Sequence, residues 1–180
     1  MHTLPDLLGN NLSILSVGLN PSIPSVKAGF YFANPRNRFW KALNACGIFI
    51  ERLEPSLKSC EYLHTKYRIG FTDLIKRPTA GCKDLNATDY KEGTGRLQQI
   101  VTKIKPNTIW FHGKLTCQKY VQYSENKNLT TQWGEQTWKI AGAPVIVTPN
   151  PSPANAAYSL QVITDSYRDL FKHLPNLSPC

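Results

Sequence analysis

The chain has 180 residues, 41% of them hydrophobic, and 21 Lys and Arg against 12 Asp and Glu leave a net charge of +9. That length buries a three-layer core without disulfide staples, so one globular domain over residues 1–180 is expected, and the charge surplus, spread along the chain, fits a polyanion partner or simple solubility. No apolar run approaches the roughly 20 residues of a membrane span, and the N-terminal MHTLPDLLGNN lacks the basic start and long apolar middle of a secretion signal, so an intracellular protein without membrane contact is expected.

In chain order, the apolar run Leu12 to Val17 predicts a buried strand that stops at Gly18. A site-like loop follows, offering the Asn20 amide, the Ser22 and Ser25 hydroxyls, Lys27, and then Phe30, Tyr31 and Phe32 behind Gly29. Amide, hydroxyl and exposed ring are what a pocket for a planar polar base requires. Asn34-Pro35 reads as a helix cap followed by proline at the first helical position, with Phe39, Leu43 and Cys46 on one face of the helix. A shorter helix is expected over Leu57 to Lys66 and a second strand over Tyr67 to Leu74. Leu97, Ile100, Val101 and Ile104 repeat at i, i+3, i+4 and i+7, the stripe of a core-facing helix. Gly93-Thr94-Gly95 lacks the pattern of a phosphate loop. A third strand, Thr108 to His112, leads through Gly113-Lys114 into a helix over Leu115 to Tyr123. The polar stretch Asn126 to Trp138, with Trp133 and Trp138, reads as a hairpin or excursion. A fourth strand, Pro144 to Thr148, precedes a last helix with the stripe Tyr167, Leu170, Phe171 and Leu174.

This alternation predicts an α/β fold with a parallel sheet covered on both faces, whose ligands bind beyond the carboxyl ends of the strands. Two Asn-Pro-Ser tripeptides, Asn20 to Ser22 and Asn150 to Ser152, follow the first and last predicted strands and would face one cleft. Each alone is an ordinary turn signal; their joint placement is not. The cysteines, Cys46, Cys60, Cys82, Cys117 and Cys180, are odd in number with no C-x-x-C pair, and His2, His64, His112 and His173 lack metal-ligand spacing. No metal is expected.

Leu15 to Trp40, with GLNPS, GFYFANP and NRFW, resembles the first motif region of the mismatch-specific uracil/thymine-DNA glycosylases, within the uracil-DNA glycosylase superfamily. The resemblance continues through LIKRPT (Leu74 to Thr79), Gly113-Lys114, QWGEQT (Gln132 to Thr137) and VTPNPS (Val147 to Ser152), and ends around Tyr167 to Leu170. It implies a three-layer α/β/α sandwich around a four-stranded parallel sheet, and a monomeric, monofunctional glycosylase with no cofactor. Its partner would be DNA containing uracil or a related damaged base, excised in base excision repair after flipping out of the stack.

By the same resemblance Asn20 and Asn150 are the catalytic positions, and Phe32 stacks on the flipped base. An amide orients a water but cannot take its proton, so slow turnover is expected. Backbone N–H groups near Gly18, Leu19 and Phe32 would stabilise the departing anion, and Ser25 belongs to the same substrate-binding group. Asn150 either donates to a base carbonyl or caps the turn before Pro151. Ser22, Lys27, Lys76, Arg77, Lys114 and Ser152 are the candidates for gripping phosphates. The loop Pro153, Ala154, Asn155, Ala156, Ala157 carries small residues where the well-known bacterial members place a bulky wedge and an arginine. Asn155 remains as a polar probe and Tyr158 as a wedge if the following helix starts late. That departure questions selectivity for a base opposite guanine and admits single-stranded DNA. A catalytically inactive DNA-damage-binding module of the same fold is the alternative.

Overall fold

The structure, a computed structural model, describes residues 3–125 and 127–172; His2, Asn126, His173, Leu174 and Cys180 lie outside the described residues. The elements run β1 (Ile14–Gly18), α1 (Ile23–Ala28), α2 (Phe39–Ala45), α3 (Leu57–Tyr67), β2 (Ile69–Asp73), α4 (Ala87–Ile104), β3 (Ile109–His112), α5 (Lys114–Tyr123), β4 (Gly134–Ile140), β5 (Ala143–Thr148) and α6 (Leu160–Lys172). The sheet order is β2-β1-β3-β5-β4, with β2, β1, β3 and β5 parallel and β4 antiparallel to β5.

Alternate residues of each parallel strand enter opposite cores, as a pleated strand buried on both faces requires. Ile14, Ile69, Phe71, Trp110 and Ile146 meet Phe39, Leu43, Leu63, Tyr167 and Leu170 on one side. Leu15, Val17, Ile109, Phe111, Val145 and Val147 meet Leu97, Val101, Cys117 and Val121 on the other. The result is the expected three-layer α/β/α sandwich. The free edge of β2 is covered by the N-terminal segment, where Leu7 exchanges two backbone hydrogen bonds of 2.9 Å with Phe71.

The sheet has five strands among the described residues, one more than expected. Strand β4, GEQTWKI, is an edge strand that buries only Gln136 and Ile140, so its composition is that of a solvated loop. It does form a hairpin with β5. The segment after Asn20 also differs from expectation, because residues 23–28 form a short helix capped by the Ser22 hydroxyl and ended by left-handed Gly29. Helix α2 starts later than Asn34-Pro35 suggested. Asn34 Oδ1 accepts from the Arg36 amide at 2.9 Å and closes a local turn, while Asn37 Oδ1 accepts from Phe39 N at 2.9 Å at the true start of the helix. No helix among the described residues is long and apolar enough to cross a membrane.

Candidate active site

A cavity of about 480 Å³ opens beyond the carboxyl ends of β1, β2, β3 and β5. Gly18, Leu19 and Asn20 follow β1 into it, Asp73 and Thr79 come from β2 and its loop, His112, Gly113 and Lys114 from β3, and Asn150 and Ser152 from the loop after β5. The two Asn-Pro-Ser tripeptides therefore do face one cleft. Asn20 and Phe32 line this same hollow.

Asn20 is fixed by both protons of its amide. Nδ2 donates to the Arg77 carbonyl at 3.1 Å and to the Thr79 hydroxyl at 2.8 Å, and that hydroxyl donates to the Gly81 carbonyl at 2.9 Å. The amide cannot flip without losing both bonds. Among the described residues no protein donor reaches Asn20 Oδ1, which is left as an acceptor.

Phe32 is half-buried in the left-handed region, with φ of 59°. One ring face lies on Phe39, centroids 3.9 Å apart and planes within 13°, and the ring meets His112 at 5.0 Å. The position of the ring is set by its neighbours in sequence. Ser25 is buried, and its hydroxyl accepts from the Ala33 amide at 3.2 Å and from the Ser22 hydroxyl at 3.0 Å, tying the start of α1 to the residue after Phe32. Of the three consecutive aromatics, Tyr31 is core, donating from its hydroxyl to the Pro5 carbonyl at 3.1 Å, while Phe30 and Phe32 pack on the margin of that core.

Asn150 lines the cavity and caps its own turn. Its Oδ1 accepts from Ser152 N at 2.9 Å, which caps the turn, so its Nδ2 remains as a donor at the cavity wall. Gly113, with φ of 95°, permits this approach, since a Cβ there would stand 3.0 Å from Asn150 Cβ. The loop beyond is organised by Arg38, which sequence reasoning passed over. Its guanidinium donates to the carbonyls of Pro151 (3.4 Å), Ser152 (2.9 Å), Asn155 (2.7 Å) and Tyr158. Asn155 lines the cavity, and its Nδ2 donates back to the Asn150 carbonyl at 2.9 Å. Ala154 also lines it and is exposed, whereas Pro153 does not reach it. Tyr158 precedes α6, which starts late, but its ring packs edge-on to Trp133 at 5.3 Å.

Asp73 and His112 form the floor of the cavity and were also missed as site residues. Asp73, the last residue of β2, is paired in register with Gly18, and a Cβ at Gly18 would fall 2.3 Å from Asp73 Oδ1. Glycine is thus required for the carboxyl to reach the floor. Asp73 is 4% exposed and His112 1%, and neither Asp73 Oδ2 nor His112 Nδ1 has a hydrogen-bond partner. Burial pushes the Asp73 carboxyl up to about 7, against opposing pulls from Lys76 and Arg96, and burial alone holds the His112 imidazole down at about 3. His112 Nε2 pairs with Ser16 Oγ at 2.8 Å. The sequence signal for Asp73 is that it is the one charged residue of β2, at its carboxyl end.

The candidate phosphate contacts have different surroundings. Lys114 lines the cavity with its ammonium 4.8 Å from the Trp133 ring centroid, and Lys27 is exposed on α1 outside the cavity. Ser22 and Ser152 are engaged as caps, accepting from Ser25 N at 3.3 Å and Ala154 N at 3.3 Å. Lys76 and Arg77 do not reach the cavity. Lys76 pairs with Asp6 at 2.7 Å, in a cluster where Arg96 also reaches Asp6 at 2.8 Å, and it tethers the N-terminal segment. Arg77 grips Asp89 at 2.6 Å and holds that carboxyl below its usual range.

The carboxyl ends of the parallel strands thus surround one cavity lined by the Phe32 ring, the Asn20 and Asn150 amides and the buried Asp73 carboxyl. The model of the uracil DNA glycosylase superfamily matches residues 5–173, and the chain belongs to that superfamily. It is also similar to a solution NMR structure of a candidate uracil DNA glycosylase from Methanosarcina acetivorans, at 26% identity and a TM-score of 0.63, over 96% of this chain and 97% of that one.

Proposed function

We propose that the protein is a monofunctional uracil-DNA glycosylase that hydrolyses the N-glycosidic bond of deoxyuridine in DNA, leaving an abasic site. The observation that carries this reading is the Asn20 amide, locked through Nδ2 with its Oδ1 unclaimed, in the hollow lined by the Phe32 ring. Asn20 Oδ1 accepts from the attacking water and places it below the sugar C1′, while the free face of Phe32 stacks on the extruded base. Backbone N–H groups around Gly18, Leu19 and Phe32 oppose the charge on the leaving anion, and Asn150 Nδ2 donates to a carbonyl oxygen of the base. The Asp73 carboxyl on the floor, raised to about 7 by burial, can in its protonated form donate one hydrogen bond and accept another, which matches the adjacent N–H and C=O of the uracil edge.

Uracil leaves as a delocalised anion, so a water without a dedicated base suffices for a slow enzyme. The small residues between Pro153 and Ala157 supply no bulky wedge, and strict selection of a guanine opposite the lesion is not expected. The protein acts as a monomer, inside the cell, where genomic DNA is held. The test is excision from labelled oligonucleotides carrying uracil, mispaired thymine, hypoxanthine or ethenocytosine, single-stranded and paired, by wild type and Asn20→Ala. Uracil release by wild type and none by the variant is the expected result; equal cleavage by both would remove Asn20 from the mechanism.

A further inference from the structure

Trp133 is one of the chain's most exposed large apolar side chains, 39% accessible, yet its position is built. The turn that carries it is stapled by the buried side chain of Gln136, whose Nε2 donates to the carbonyls of Gln132 (2.9 Å) and Gly134 (2.8 Å) and whose Oε1 accepts from Gln132 N at 3.0 Å. A buried amide spending all three bonds on one surface turn fixes an indole that contributes nothing to either core. Trp133 and Tyr158, 5.3 Å apart and edge to face, form the partition between the base cavity and a neighbouring hollow of about 380 Å³. Ile146, Pro149, Val162 and Leu170 give that second hollow apolar walls, and Glu135 and Asp169 stand at it.

We propose that Trp133, backed by Tyr158, is a stacking platform for the nucleobase adjacent to the flipped nucleotide on the same strand, and that it biases the enzyme toward uracil in single-stranded DNA. The inference rests on the reading of the larger cavity as a uracil pocket. Three features select this occupant. The platform is a wall of the cavity itself, which puts it within reach of the nucleotide next to one whose uracil is inserted. Lys114 stands over the indole at 4.8 Å, close enough to exchange the ring for a phosphate of that strand, whereas Glu135 and Asp169, the latter paired with Lys172 at 3.4 Å, make the second hollow unfavourable for a phosphate. Finally, the loop Pro153 to Ala157 has no side chain large enough to fill an emptied duplex stack. A base reaches Trp133 only if it is free of a pairing partner, which sets the preference for single strands. Stacking on an aromatic side chain is tolerant of base identity, so no sequence preference follows.

The test measures excision kinetics of wild type, Trp133→Phe and Trp133→Ala on four uracil substrates: single-stranded, duplex, and two single strands with an abasic spacer in place of the 5′ or of the 3′ neighbouring base. Trp133→Ala is expected to raise KM for the single strand at least about fivefold with kcat within about twofold, with Trp133→Phe between, and to raise KM for the duplex by a clearly smaller factor. One of the two spacers should cost the wild type the same factor and cost Trp133→Ala nothing. Thermal unfolding of each variant separates a folding loss from a binding loss, and the wild-type spacer series needs no variant at all. Wild-type cleavage that ignores both spacers, or a Trp133→Ala loss equal on single strand and duplex, overturns the platform while leaving the glycosylase reading intact. A wild type that cleaves none of the uracil substrates overturns both.

Discussion

The Asn20 amide donates to the Thr79 hydroxyl at 2.8 Å, joining the loop after β1 to the loop after β2 across the mouth of the cavity. Because the Thr79 hydroxyl spends its own proton on the Gly81 carbonyl, it can only accept from Asn20, and the orientation of the amide is settled. Thr79→Val removes that acceptor and leaves a single bond, to the Arg77 carbonyl, to hold the amide. The expected loss is about 1–2 kcal/mol of barrier lowering, roughly 5- to 30-fold in kcat, with KM little changed. Asn20→Asp should do worse, since a carboxylate there faces a carbonyl it cannot donate to. Single-turnover excision rates check both; a Thr79→Val enzyme at wild-type rate would show that the second loop does not orient Asn20.

Phe32 holds a backbone conformation that favours glycine, while its ring stacks on Phe39 and lines the cavity. Phe32→Ala should raise KM about tenfold or more by removing the stacking face. Phe32→Gly should match it in activity but exceed it in stability by about 1 kcal/mol, because glycine is free of the left-handed strain. Urea unfolding of the pair measures the difference. Equal stability of the two variants would mean that the local backbone relaxes when the ring is lost.

Arg38 commits its guanidinium to four carbonyls of residues 151–158. Arg38→Ala leaves that loop without its anchor, and a loss of about 2–3 kcal/mol in stability is expected along with weaker DNA binding. Arg38→Lys, a compact cation without the planar fork, should recover only part of it. Unfolding midpoints and oligonucleotide affinity, measured together, test this, and an Arg38→Ala protein with wild-type affinity would show that the loop does not need its present shape.

Much of this architecture is written in the sequence, and the omissions have physical causes. The four parallel strands are short apolar runs because both faces are buried, and the stripes Leu97 to Val101 and Tyr167 to Phe171 face the core as spaced. Strand β4 escapes notice because an edge strand with one exposed face has no such run. Arg38 stands in the NRFW block, but its role is not legible there, since it recognises main-chain carbonyls more than 110 residues away. The cleft residues Asn20, Phe32 and Asn150 are legible as a motif, but the burial that raises the Asp73 carboxyl depends on which helices cover β2. Lys76 and Arg77 read as free cations because Asp6, 70 residues away, and Asp89, 12 residues away, meet them only in the fold.

That last difference gives a direct prediction. Lys76→Ala should lower the unfolding temperature, since it removes a partner from the partly buried Asp6, yet leave the salt dependence of DNA binding as in wild type. Lys114→Ala should do the reverse, with a small effect on stability and a salt slope shallower by about 0.7 for each single-strand phosphate that the lysine neutralises. Affinity measured between 50 and 300 mM salt, about the range over which such slopes are linear, decides it. A reduced slope in Lys76→Ala would return that lysine to the DNA-binding surface.

The two floor residues make opposite contributions to the pH dependence of stability. The Asp73 carboxyl is raised to about 7 by burial, so the folded state holds its proton where the unfolded state has released it. Stability from this group is complete below the unfolded carboxylate range near pH 4 and falls as pH rises to about 7. The His112 imidazole is lowered to about 3 by burial, so its contribution is complete above the unfolded value near 6.5 and is lost as pH falls towards 3. Each change is roughly 4–5 kcal/mol and the two slopes oppose each other between about pH 4 and 6.5. Wild-type stability should therefore be nearly flat over that interval. Asp73→Asn deletes one slope and exposes the other: the variant should equal the wild type near pH 4, gain on it steadily as pH rises, and exceed it by several kcal/mol at pH 8. Urea denaturation at pH 4, 6 and 8 reads this directly, and stability curves for the two proteins that run parallel across the range would show that the Asp73 carboxyl is ionised in the fold.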